Sequence, residues 1–124
     1  AAHLGPEDVV RIQLEALRQN DENDLGIAVA FRFASPSNKQ STGPLPRFVQ
    51  MIKQGPYRPM LDYRRVFYSP VEIEGDRAAQ KVTLISDERV VDYVFVLRRQ
   101  SRDPCKGCWM TDGVVVLPGL EQPV

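Results

Sequence analysis

The two cysteines of the chain stand close together, as Cys105-Lys106-Gly107-Cys108. Three chemistries use that spacing. A tetrahedral zinc site needs two further ligands. The chain has one histidine, His3, near its start. One chain therefore cannot supply a standard Cys/His set, although two chains sharing four thiolates could. A thiol-exchange motif should open a helix, whose N-terminus lowers the thiol pKa. Here the motif sits in a hairpin loop that enters a strand. The third reading is structural: free thiols, or a local disulfide that pins the hairpin in an oxidised compartment. So short a loop gives little entropic stabilisation. A redox-sensing role would follow from the same pair.

Two Asp-Tyr neighbours are the other candidates for chemistry, Asp62-Tyr63 and Asp92-Tyr93. A carboxylate inside an apolar pocket has its pKa raised and can act as a general base. A tyrosine hydroxyl beside it can donate a hydrogen bond. Asp62 as base, with Tyr63 or Tyr93 as donor, is the catalytic arrangement to test. Successive strand residues point to opposite faces. If Tyr93, Phe95 and Leu97 face the core, Asp92 faces outward, on the surface or in a dimer interface. Tyr57, Tyr63, Phe67, Tyr93, Phe95 and Trp109 either line a pocket or fill a core. A Ser-His-Asp triad needs an ordered histidine, and His3 falls outside the predicted fold.

Composition narrows the partners. The 124 residues carry 16 Lys plus Arg and 16 Asp plus Glu, so the formal net charge is zero. A phosphate-binding surface shows as basic excess. The local clusters Arg64-Arg65 and Arg98-Arg99 are offset by acids, and nucleic acid is not expected as a partner. No apolar run approaches the roughly 20 residues of a membrane span, so no membrane partner is expected either. The start, Ala1-Ala2-His3-Leu4-Gly5, lacks the charged and apolar regions of a secretory signal. That absence and the low cysteine count lead us to expect an intracellular setting. No cofactor or metal is expected.

Helices come first along the chain. Val10, Leu14 and Leu17 fall at i, i+4 and i+7, which predicts an amphipathic helix over residues 6–19, with Pro6 suited to its first turn. The polar cluster 20–24 stops it and offers caps for a second helix ending near Ala34, ahead of Pro36. Gly26 lies inside that second helix and weakens it. Residues 35–46 are rich in turn formers and read as a loop. It lacks the glycine pattern of a phosphate cradle. Residues 47–54 read as a short helix burying Phe48, Met51 and Ile52. The period then changes to two. Strands are expected over 62–74 (interrupted near Ser69-Pro70), 78–86, 89–99 and 108–117. Residues 119–124 read as a flexible tail behind a single domain spanning 4–118. Helices followed by strands on short turns predict an α+β fold, with the helices on one face of an antiparallel sheet.

That order resembles the NTF2-like (SnoaL-like, cystatin-like) domains. The resemblance is carried by the opening Pro6-Glu7-Asp8-Val9-Val10, the segment 28–33, the Ser35-Pro36-Ser37-Asn38 loop, the helix over 47–53 with Tyr57, and the closing Gly107-Cys108-Trp109-Met110-Thr111-Asp112-Gly113-Val114. Within that superfamily the chain is most similar to an uncharacterised branch, the DUF4864 type. The resemblance implies a cone, a curved antiparallel sheet wrapped around helices with a pocket at the open end. It also implies a homodimer through the outer sheet face. Isomerases, dehydratases, cyclases and assembly domains share the superfamily, so fold does not choose function. The His-Asp dehydratase pattern has no counterpart here.

The expected function is a non-enzymatic binding or interaction module, with a partner protein or a small apolar ligand in a pocket lined by Tyr57, Tyr63, Phe67, Phe95 and Trp109. The alternatives are an isomerase- or cyclase-like enzyme using the Asp/Tyr pair, and a thiol-regulated module using Cys105 and Cys108. The pattern also resembles plant and cyanobacterial homologues, which implies a plastid protein with its transit peptide removed, or a cyanobacterial cytoplasm.

Overall fold

A computed structural model describes residues 3–87 and 89–118. The expected tail, and Glu88 of the turn after the third strand, lie outside these residues. Five helices precede five strands: α1 (Pro6–Arg18), α2 (Leu25–Arg32), α3 (Pro36–Thr42), α4 (Leu45–Gln54), α5 (Pro59–Asp62), β1 (Arg65–Tyr68), β2 (Glu72–Glu74), β3 (Arg77–Ile85), β4 (Val90–Arg99) and β5 (Trp109–Val116). The fold is α+β, with the helices packed against an antiparallel sheet.

α1 starts at Pro6, and the Gly5 N–H donates to the Asp8 carboxylate at 2.9 Å. Its buried stripe is Val9, Val10, Leu14 and Leu17, as the spacing predicts. The turn into α2 holds Asp24 at φ 60°. Asp21 Oδ1 accepts from the N–H groups of Asn23 and Leu25, and Asn20 Oδ1 accepts from Ile27 N–H. These side chains satisfy donors that the first turn of α2 leaves open. Lys53 of α4 pairs with Asp24 at 2.9 Å and fastens α4 to this turn. Gly26 has a packing reason to sit in a helix. A Cβ built there would stand 2.1 Å from the Ala16 carbonyl oxygen, so α1 and α2 approach more closely than any side chain allows.

Two helices differ from expectation. Residues 36–42, read as loop, form α3. Ser35 is its N-cap, with Oγ accepting from Asn38 N–H at 3.2 Å, and Pro36 occupies the first turn. A Ser-Pro pair that looks like a turn is also a helix start. Residues 59–62, read as the approach to a strand, form the single turn α5, which buries Met60. The strand expected from Asp62 therefore begins at Arg65.

The sheet order is β1-β3-β4-β5, with β2 also paired to β3. β1 lies against residues 82–85 of β3 and β2 against residues 77–79, so they form one edge with a break. The break falls at Ser69-Pro70, as expected. Ser69 N–H donates to Lys81 O, and Ser69 Oγ accepts from Lys81 N–H at 3.1 Å. The hydroxyl thus takes the Lys81 N–H in place of the Ser69 carbonyl, which accepts from Gln80 Nε2 at 2.8 Å, and the exposed Pro70 has no N–H to continue the ladder. β3 and β4 alternate cleanly. Ala78, Gln80, Val82 and Leu84, with Tyr93, Phe95 and Leu97, face the helices and are buried. Asp92 takes the opposite face beside Thr83 and Lys81.

β5 pairs with β4 through a bulge at Asp112, which shifts the register between Val96 and Leu97. β5 has one sheet neighbour, so its other edge is open. There the α2–α3 junction covers it. Thr111 N–H donates to Phe33 O at 2.7 Å, and Ser35 N–H donates to Thr111 O at 2.8 Å. This is a one-residue parallel bridge between Ala34 and Thr111.

The close contact at Gly26 sets the first prediction. Gly26→Ala gains helix propensity of about 1 kcal/mol, but its methyl meets backbone that cannot swing aside. Overpacking of this kind costs about 1–3 kcal/mol. Urea unfolding should give a lower midpoint for Gly26→Ala than for the parent, and an unchanged or higher midpoint would refute the close crossing.

Candidate functional site

The helix layer and the β4–β5 end of the sheet do not fill all the space between them. A partly open cavity of about 200 Å³ remains. Its apolar wall includes Ala30, Phe48, Ile52, Met60 and Phe95, contributed by α2, α4, α5 and β4. Its polar wall is Gln13, Asn38, Thr42, Tyr57 and Thr111. None of the described residues lining it is charged.

The polar wall is held by bonds across long sequence distances. Gln13 is buried, and its Nε2 donates to Val9 O at 3.3 Å and to Thr111 Oγ1 at 2.6 Å. Asn38 Nδ2 donates to Thr111 O at 3.1 Å, and Thr42 Oγ1 donates to Asn38 O at 2.9 Å. Tyr57 Oη donates to Val114 O at 2.9 Å. α1, α3 and β5 thus meet at Thr111.

Of the expected pocket residues, Tyr57 and Phe95 line this cavity. Tyr63, Phe67 and Trp109 do not. Tyr63 follows α5 and is buried in the core, where its hydroxyl donates to Leu14 O at 2.8 Å. Phe67 is on edge strand β1, 49% exposed on the far face of the sheet, under the Arg65 guanidinium. Trp109 packs into the core at the start of β5, with Arg99 over its ring.

The expected catalytic trio is not assembled either. Asp62 is exposed at the end of α5 and borders a separate, polar surface hollow with Arg58, Arg64 and Arg89. Tyr93 is fully buried, and its hydroxyl donates to Pro56 O at 2.7 Å. Burial pushes the Tyr63 phenol up to about 12, and it pushes Tyr93 up as well. Both hydroxyls are neutral near pH 7 and committed to backbone carbonyls.

Cys105 and Cys108 are joined as a disulfide, with Cα atoms 5.5 Å apart. They lie in the loop before β5, not at a helix N-terminus. Gly107 between them takes φ 87°. Its N–H donates to Gln100 O, and Gln100 N–H donates back to Cys108 O, both at 2.8 Å. Joined sulfurs offer no thiolate to a metal. Among the described residues no group of three or more His, Cys, Asp or Glu side chains could hold a metal ion. No described helix is long and apolar enough to cross a membrane.

Sequence reasoning missed Gln13, Asn38 and Thr111. A glutamine within the stripe of α1 was the available signal. Its position, three residues after Val10 and one before Leu14, puts it on the buried face.

Fold and cavity together define an α+β domain whose helices enclose a small uncharged hollow against one end of an antiparallel sheet. The family model described as Domain of unknown function (DUF4864) matches residues 3–123, and the chain belongs to that family. No curated protein and no solved structure matches it.

Proposed function

We propose that this domain is a non-enzymatic binding module of the NTF2-like type that takes a small, largely apolar molecule into the cavity. One observation carries this reading: an apolar hollow lined by no charged side chain, whose tyrosine hydroxyl is already spent on a backbone carbonyl. Binding needs shape, burial and a few placed polar atoms. A general base or nucleophile would have to come from elsewhere. The size favours a small ligand. About 200 Å³ exceeds the roughly 150 Å³ of an engineered apolar cavity that takes benzene. It falls below the roughly 300 Å³ at which drug-sized pockets begin. A single ring or a short branched chain suits it.

A second copy of the chain is the proposed protein partner, docked on the outer sheet face. Phe67 and Val115 are 49% and 51% exposed there; Val94 and Val96 share that face, and Thr83 with the Lys81–Asp92 pair lies between Phe67 and these valines. Exposed apolar patches of this kind favour association, and zero net charge removes long-range repulsion between copies. The family resemblance carries the further proposal of a plastid or cyanobacterial setting, and the Cys105–Cys108 disulfide requires that setting to be oxidising.

Two measurements test these proposals. Benzene should raise the melting temperature of the parent protein and leave Ala30→Leu unmoved, because the larger side chain occupies the hollow. A rise of equal size in both would overturn the cavity as the binding site. In sedimentation equilibrium the protein should have about twice the 14.0 kDa chain mass at micromolar concentration, and Val94→Lys should reduce it to one chain. A monomeric parent would overturn the dimer.

A further inference from the structure

The hydrogen bonds inside the cavity wall decide which polar group a ligand should carry. Gln13 spends amide protons on Val9 O and Thr111 Oγ1. Val9 O can only accept, so the NH2 end of the amide must face it, and Oε1 is the end left over. The same logic orients Asn38, whose Nδ2 faces the Thr111 carbonyl and leaves Oδ1 over. Thr42 and Tyr57 each give their one hydroxyl proton to a backbone carbonyl. Among the described residues, none is recorded donating to Gln13 Oε1 or Asn38 Oδ1. Thr111 Oγ1 accepts from Gln13 and keeps its own proton, and Asn38 Nδ2 keeps a second one. The polar wall thus offers free acceptors and free donors, which a hydroxyl can meet together, and no charged side chain stands in it.

Gln13 is the informative member. The residue is 6% exposed, but among the described residues the sealed side-chain oxygens without a partner are Gln80 Oε1 and Asp112 Oδ1, so Gln13 Oε1 opens onto the cavity, where water can reach it. A ligand that displaces that water leaves the acceptor unpaired, which is costly, unless it brings a donor. A ligand hydroxyl or N–H would satisfy it. A carboxylate would bring more acceptors and a charge, with no cation to receive it, and burying such a charge unpaired is far more costly.

We infer that the cavity selects a neutral molecule with one hydrogen-bond donor on an apolar body, an alcohol or a phenol, and rejects the corresponding carboxylate. Gln13 Oε1 is the principal acceptor. The inference rests on the reading of the cavity as a ligand site and adds the chemical class of ligand.

Phenol, toluene and benzoate are matched probes for the full chain at pH 7, with affinities read by chemical-shift titration. Phenol should bind about fivefold or more tightly than toluene, the worth of one added hydrogen bond. Benzoate should bind more weakly than either. Gln13→Met keeps the length of the side chain and removes the acceptor. It should bring phenol and toluene to equal affinity while toluene still binds. Equal affinities in the parent protein, with both lost in Ala30→Leu, would overturn this inference and leave the binding site standing. So would benzoate binding most tightly, or a phenol advantage that survives Gln13→Met. If none of the three probes shifts a cavity resonance, the site reading falls and this inference with it. Should Gln13→Met fail to fold, the parent protein's phenol-to-toluene ratio decides the matter alone.

Discussion

An edge strand must have its free N–H and C=O groups covered, and in this protein Thr111 does it by recruiting helices. β5 pairs with β4 along one side only. On the other side the Thr111 N–H donates to Phe33 O, and its carbonyl accepts from Ser35 N–H and Asn38 Nδ2. Its hydroxyl accepts from Gln13. Each polar atom of this buried residue goes to a helix or a helix junction. Open sheet edges invite pairing with other chains. Here the α2–α3 junction occupies that place, and with it comes the position of the whole helix layer.

The cavity follows from this tether. With the junction fixed on β5, α1 and α3 pack against β5, and α2 and α4 pack on each other. Ala30 of α2, Ala34 of the junction and Gly113 of β5 line the space there. Small groups at a fixed spacing leave a hollow that larger side chains would close. The close approach of α1 and α2 at Gly26 keeps α1 tight against α2, and the Lys53–Asp24 pair holds α4 to the same turn. Beside the hollow the core is filled. Tyr63 and Tyr93 plug it and tie their hydroxyls to Leu14 O and Pro56 O. Space and polarity are thus separated: the aromatic core is filled, and the uncharged hollow at the β5 end carries the polar wall.

Local pattern made much of this legible. The strict alternation in β4 and the stripe of α1 come from burial of one face, and burial leaves a periodic trace. The break at Ser69-Pro70 was readable because proline cannot donate. α3 was not, because Ser35-Pro36-Ser37-Asn38 serves a turn and an N-cap equally well, and nothing in α3 is buried to leave a stripe. Asp62 and Tyr63 were misplaced because α5 is a single turn, too short to show a period. Phe67 depended on register. β1 pairs Phe67 with Thr83 of the outer face, and no residue within β1 itself says so. The Gln13–Thr111 bond spans 98 positions, and a long-range polar tie between two ordinary residue types leaves no local signature.

The tie between α1 and β5 is measured directly by a double-mutant cycle. Gln13→Leu, Thr111→Val and the double variant would each be unfolded in urea and compared with the parent. Residues in direct contact within one hydrogen-bonded network show coupling of roughly 0.5–3 kcal/mol. A coupling of about 1 kcal/mol or more is predicted, with the double variant less destabilised than the sum of the two singles. Losses that add to within about 0.3 kcal/mol would contradict the view that Thr111 anchors the helix layer to the sheet.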